Sequence, residues 1–314
     1  MNKKEFRTLD EQISIMSNKG LTINDPDKAK DVLFRENYFF INGYRNLFYT
    51  KDRNFIEGTT FEELYSLFLF DRNLRNILFK YILVFENNIK SIISYQLSKK
   101  YGYMDKDYLN VKNYNQDIKE RRRVEDVINK MKRQIRINGE KHTATFHYIT
   151  KYHYIPLWIL VKVLSFGLIN ELFGILKDED QKEIADFYRI DKDILKVYLQ
   201  LLSNYRNLCA HEDIVYEHRT QVFIEDSYYH AKLDIPKNNL GEYTKGKNDI
   251  FALIIILKQV LQTDRFREMM AEINRCFDIF DLEVNTIDNS KLLDKMGFPD
   301  NYMDIVDMQG GLNE

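Results

Sequence analysis

The residues best suited to chemistry lie near the end of one strongly periodic stretch, Ser203-Asn204-Tyr205-Arg206-Asn207-Leu208-Cys209-Ala210-His211. An Arg guanidinium presents a planar fork that matches phosphate oxygens. A His near its unperturbed pKa of about 6.5 can act as acid or base. Arg206 and His211 are therefore a candidate catalytic pair. On an ideal helix Arg206 points about 140° away from His211, whereas Asn207 and His211, at i and i+4, share a face. The pair converges better if the helix bends or ends between them. The same spacing also fits a structural pair, a buried capping Arg and a satisfied His.

Other chemistries find little support. The sequence contains no G-x-x-x-x-G-K-S/T, no G-x-G-x-x-G, no G-x-S-x-G and no H-E-x-x-H. His142, His147 and His153 cluster in one stretch and could ligate a metal, but no carboxylate cluster lies nearby, so solvated or RNA-facing roles fit better. The two Cys, 209 and 276, are too few and too far apart for a disulfide framework or a Cys-based zinc site. No metal and no cofactor is expected.

The elements that must position Arg206 and His211 are helices. The chain has 314 residues, with only 12 Gly and 4 Pro, which argues against loop-rich or turn-rich β architectures. Phe6, Leu9, Ile13 and Met16 predict a helix over 3–19. Asp25-Pro26 starts a second helix that runs to Asn42-Gly43. Thr60 and Glu63 form a capping box for a helix through Phe68. Residues 71–100 read as the strongest long helix, and 116–137 as a very charged one. A His- and Tyr-rich connector, 142–154, leads to a helix opened by Pro156. Shorter helices follow Gly167 and span 179–188, and 192–210 is again strongly helical. Residues 219–240 lack a helical period, and Gln221–Ile224 could form one short strand. A helix or helix pair covers 247–280, and 283–314 reads as a polar, partly ordered tail. The fold class is all-α. The expected divisions are an N-terminal helix (1–24), a main helical domain (25–240) and a C-terminal helical extension with an acidic tail (241–314).

Several blocks resemble the Abi (abortive infection) family, AbiD/AbiF-like phage-resistance proteins of the HEPN ribonuclease superfamily. They are Phe34–Arg45, then Phe70-Asp71-Arg72-Asn73-Leu74-Arg75, then Glu86-Asn87-Asn88-Ile89-Lys90-Ser91, then Pro156-Leu157-Trp158 with Leu164–Gly167. They occur in the family's order, and Arg206-Asn207 with His211 looks like the R-N-x-x-x-H form of the HEPN motif. The resemblance implies an HEPN-like helical bundle with additional helices and metal-independent endoribonuclease activity of a toxin or effector in phage defence. For the AbiF-like branch it also implies a small noncoding RNA as a restraint.

The residues make sense of that reaction. Cleaving RNA through its own 2′-OH needs a base, an acid for the leaving 5′-oxygen, and positive charge on the phosphorane. One motif supplies one His and one Arg, so a homodimer that juxtaposes two copies is expected. Asn207 would orient His211 or contact phosphate. Glu86 would pair with Arg206 or His211, or else stand as a solvated helix carboxylate. Arg75 fits an ion-pair role equally well. A non-catalytic RNA-binding or interaction protein, and a toxin controlled by a nucleotidyltransferase partner, are the alternative readings.

The net charge of −2 alone points to no polyanion. It is a sum of unlike parts. Residues 119–136 hold eight basic and three acidic residues, with Arg121, Arg122, Arg123, Lys130, Lys132, Arg133 and Arg136 as candidate RNA contacts. Lys141, His142, Tyr148, Lys151 and Tyr152 follow as partners for single-stranded RNA. Residues 277–314 hold nine acidic residues and two Lys, a tail that could solubilise, cover a basic groove or bind a partner. RNA is the expected partner, with no DNA and no membrane. The longest clean apolar run, Ile250–Leu257, is too short to span a bilayer, and no secretory signal is visible, so a cytoplasmic location is expected.

Overall fold

A computed structural model describes residues 5–310, and fifteen α-helices with no strand or sheet make up its regular structure among those residues. The all-α class follows from the sequence as read.

Helix α1 (Leu9–Ser17) starts at Thr8, which forms a capping box with Glu11. Residues 3 and 4 of the expected first helix lie outside the described residues. Asp25 caps α2 (Pro26–Glu36) by accepting from the Lys28 amide. The expected continuous helix to Gly43 instead breaks at Asn37, whose φ of 70° is left-handed, and Asn37 then caps α3 (Tyr38–Gly43).

Helix α4 (Phe61–Tyr101) is one element of 41 residues, not two. The Thr60–Glu63 capping box begins it and Gly102, at φ 96°, ends it. Its axis is roughly 60 Å long at 1.5 Å per residue. Asp71 and Arg75 interrupt its apolar pattern, but the two charges neutralise each other inside the fold at 2.6 Å. The helix therefore runs straight through them.

Short α5 (Asp105–Tyr108) leads to α6 (Arg121–Asn138), which starts later than expected. The supposed connector is itself a helix, α7 (Thr143–Tyr152), with His142 at its N-cap and His153, at φ 63°, at its C-cap. Then come α8 (Leu157–Val163), α9 (Phe166–Gly174), α10 (Asp178–Phe187) and α11 (Lys192–Ala210). Residues 219–240 hold only α12 (Tyr228–Lys232). Gln221–Ile224 forms no strand: the Thr220 and Ile224 amides bond Asn248 O and Lys247 O, with no further ladder.

Helix α13 (Ile250–Val260) buries every residue from Ile250 to Leu257, as a run apolar on every side must. Helix α14 (Thr263–Glu283) lies along α4, where Phe70 meets Phe277 and Phe280 at 5.2 and 5.4 Å. The expected polar tail is folded as far as it is described. It holds α15 (Asn289–Met296), and Val284, Leu292, Phe298, Tyr302 and Ile305 are buried. Glu63 fastens it by accepting from the Asn285 and Thr286 amides at 2.7 and 2.9 Å. Glu314 of the acidic count lies outside the described residues. Helices α8, α10, α11 and α14 thus surround α4, and no helix among the described residues is long and apolar enough to cross a membrane.

Candidate functional site

Helix α11 buries Leu195, Tyr198, Leu199, Leu202, Tyr205 and Cys209 and packs on α4 and α9. Its other face carries Arg206, half-buried, and Asn207, exposed. His211 is the C-cap, at φ −97° and ψ 5°, so the helix ends between Arg206 and the imidazole. Glu212 follows in the left-handed region at φ 58°. Its amide bonds Cys209 O at 3.4 Å, and the Asp213 amide bonds Leu208 O at 3.2 Å. This is a Schellman closure with Glu in the position usually held by Gly. The turn puts His211 at the surface, and among the described residues its ring has no hydrogen-bond partner.

Arg206 Nε donates to Glu86 Oε2 at 3.3 Å, and its guanidinium lies 5.6 Å from the Phe79 ring centre. Glu86 is not a solvated carboxylate: its side chain is 5 % exposed. Its other oxygen accepts from Lys90 Nζ at 2.7 Å, one turn along α4. Lys90 was absent from the expected site, although the i, i+4 spacing to Glu86 is visible in the sequence. Arg206, with its side chain 29 % exposed, is the only one of the three cations and anions that reaches solvent substantially.

The loop after His211 is gripped by a second buried cluster on α4. Asp71 accepts from the Tyr216 and Val215 amides at 2.7 and 3.2 Å and from the Tyr44 hydroxyl at 2.7 Å. Arg75 donates to Asp71, to the Tyr44 hydroxyl at 3.1 Å and to Asp213 O at 3.2 Å. Complete burial pushes the Asp71 carboxyl up, against the pull of the Arg75 guanidinium and of these donors. Arg75 is thus an ion-pair partner that holds the loop. Residues distant in sequence, at 44, 71–75 and 86–90, converge on the end of α11. Phe166 joins them by packing on Phe85 at 6.2 Å.

Beside this loop a cleft of about 500 Å³ opens between α2, α3, α4 and the end of α11, with Arg72, Glu212, Asp213 and His218 in its wall. His218 Nε2 lies 3.0 Å from Asn204 Oδ1, and burial pushes its pKa down. Sequence reading did not single it out, because nothing in its spacing marks it. The Cys209 thiol, though inside the motif, is pushed up to about 12 by burial and is inert as a nucleophile. Among the described residues no three His, Cys, Asp or Glu side chains converge to hold a metal ion, those at 142, 147 and 153 included.

The seven basic candidates on α6 divide into two sets. Arg121 pairs with Glu125, Arg123 with Glu120, and Lys130 with Asp126 and Glu171. Arg122, Lys132, Arg133 and Arg136 are exposed and have no acidic partner among the described residues. These four fall within about 100° of arc at 100° per residue. The opposite face buries Val124, Val127, Ile128 and Met131.

A family model described as Abi-like protein matches residues 31–217, which include every residue of the Arg206–His211 segment and of both buried clusters. No curated protein and no solved structure matches the chain.

Proposed function

The chain belongs to the Abi-like protein family, and from that premise we propose that it is an HEPN-type endoribonuclease effector of abortive phage defence. Arg206 binds the scissile phosphate and stabilises the charge that develops on it. His211 moves the proton, as base toward the 2′-OH or acid toward the leaving oxygen. Asn207, on the same face, orients the imidazole or the phosphate. Glu86 and Lys90 are positioning residues: they fix Arg206 against α4 without touching RNA. The observation that carries this reading is the Glu86–Arg206 pair at 3.3 Å beside a helix end that presents an unpartnered His211 to solvent.

One chain offers one Arg206 and one His211, so the active form is a homodimer with a composite site, and a small noncoding RNA is its proposed restraint. RNA reaches the site along the unpaired cations of α6. The test is cleavage of RNA by the purified protein in EDTA, with the product ends identified. Cleavage leaving 2′,3′-cyclic phosphate, abolished by His211→Ala and Arg206→Ala, supports the reading. RNA that is bound and never cut supports the non-catalytic alternative and sinks this one.

A further inference from the structure

Six rings form a continuous path over the surface carried by α7 and its neighbours: Trp158, Tyr103, Tyr154, Tyr152, Tyr148 and His147. Successive ring centres are 5.2, 5.9, 6.4, 5.3 and 5.7 Å apart. Two separate stretches of chain contribute to it, residue 103 and residues 147–158. Trp158, Tyr103 and Tyr152 remain 43, 38 and 44 % exposed, so core packing does not account for the path. It is joined to the basic helix. Thr145 of α7 donates to the carbonyls of Asn138 and His142, and the His142 amide bonds Asn138 O at 3.0 Å at the end of α6. Lys151 lies over the Tyr152 ring at 5.3 Å. Arg122, Lys132, Arg133 and Arg136 on α6 have no counter-charge among the described residues.

We propose that this surface is a stacking rail for unpaired RNA, with bases on the rings and phosphates on the four free cations. A single strand can turn its bases onto aromatic faces, whereas a duplex keeps them stacked on one another. An acidic protein would satisfy the cations and leave the rings in water. The rail rests on the RNA reading above and deepens it by adding Tyr154, Tyr103 and Trp158 to the expected single-strand contacts, and it is tested apart from cleavage.

Trp158 is the single tryptophan of the chain, so its fluorescence reports on the rail directly. Full-length protein carrying His211→Ala, which keeps the RNA intact, is titrated with a 12-nucleotide oligouridylate and with an RNA duplex of equal length. Saturable quenching by the oligouridylate, with markedly weaker response to the duplex, is expected. Tyr103→Ala and Tyr152→Ala each weaken binding on the order of tenfold, and Tyr152→Phe does not. Arg133→Ala flattens the dependence of log affinity on log salt by roughly 0.7. Absence of quenching, equal affinity for the duplex, or unchanged affinity in Tyr152→Ala overturns the rail. A protein that binds this way and never cuts refutes the nuclease reading and leaves the rail standing. One that cuts but fails the titration does the reverse.

Discussion

Glu86 is shared by two cations of very different exposure, and a mutant cycle can separate them. Lys90 Nζ sits 2.7 Å from Glu86 Oε1, with side chains 10 % and 5 % exposed. Arg206 Nε sits 3.3 Å from Oε2, with its side chain 29 % exposed. Glu86→Gln leaves the buried ammonium of Lys90 without a counter-charge, and breaking a buried pair this way costs about 3–5 kcal/mol. The low end, about 3 kcal/mol, is expected because the Gln carbonyl still accepts a hydrogen bond. Lys90→Met removes one cation but leaves Glu86 paired with Arg206, so its cost is smaller, roughly 1–2 kcal/mol. Arg206→Met breaks the more exposed pair and costs about 1 kcal/mol or less. The double variant Glu86→Gln/Lys90→Met leaves no buried charge at this position and recovers about 2 kcal/mol relative to the sum of its parts. Urea unfolding followed by circular dichroism reads these differences. In thermal unfolding about 2 °C per kcal/mol is expected for a chain of this size, so Glu86→Gln lowers the Tm by about 6 °C. A Glu86→Gln cost under about 1 kcal/mol, or an Arg206→Met cost exceeding that of Lys90→Met, would refute the reasoning.

His211→Ala is expected to lower RNA cleavage by about 10²–10⁴-fold while leaving stability within about 0.5 kcal/mol, because the ring is exposed and has no partner among the described residues. Parallel losses of activity and of the unfolding midpoint would contradict that. Asp71→Asn strands the buried Arg75 and loosens its hold on the Val215 and Tyr216 amides. A loss of about 3–5 kcal/mol is expected, together with faster amide exchange over 213–216; unchanged exchange there would remove Asp71 as the anchor of the loop. His230 uses both ring nitrogens while neutral, accepting from the Ser227 amide at 3.0 Å and donating to Gly246 O at 2.9 Å. Burial pushes its pKa below the ordinary value, and His218 moves the same way. As pH falls through about 6.5 the unfolded chain takes up these protons first, so stability falls from there toward the lowered folded values. Urea midpoints measured from pH 7.5 to 5.5 should therefore decline on acidification, less steeply in His230→Gln; identical slopes would exclude the contribution of His230.

Much of the scaffold was legible from the sequence, because helix caps and apolar periods are local. Thr60 with Glu63, Asp25 with Pro26 and the run of α11 all appear where their residues put them. The division of α4 at residue 71 was misread because Asp71 and Arg75 break the apolar period, and their neutralisation requires Tyr44 and the 213–216 loop from elsewhere in the chain. The tail was misread because its acidic surplus hides widely spaced anchors, Phe298, Tyr302 and Ile305. At the candidate site, Arg206, His211 and Glu86 were visible as residue types, and Glu86 and Arg206 lie 3.3 Å apart in the fold. Lys90, Tyr44 and His218 were not singled out, since their relation to the motif exists only after α4 and α11 have packed. Tyr103 and Trp158 escaped for the same reason: their rings meet across about fifty residues of intervening chain.

The packing of α14 on α4 also sets a clock for synthesis. Lys80 and Tyr81 find their partner Glu272 only 192 and 191 residues later. At about 5–20 residues per second that is roughly 10–40 s of translation. Throughout this interval Phe70 lacks Phe277 and Phe280, and the nascent chain carries an apolar stripe that chaperones can hold. The end of α11 emerges earlier, but α4, which must support it, stays incompletely covered until the chain passes residue 280. The Arg206–His211 segment is therefore made before the helix that must support it is covered, and it gains that support only once Phe277 and Phe280 have been added.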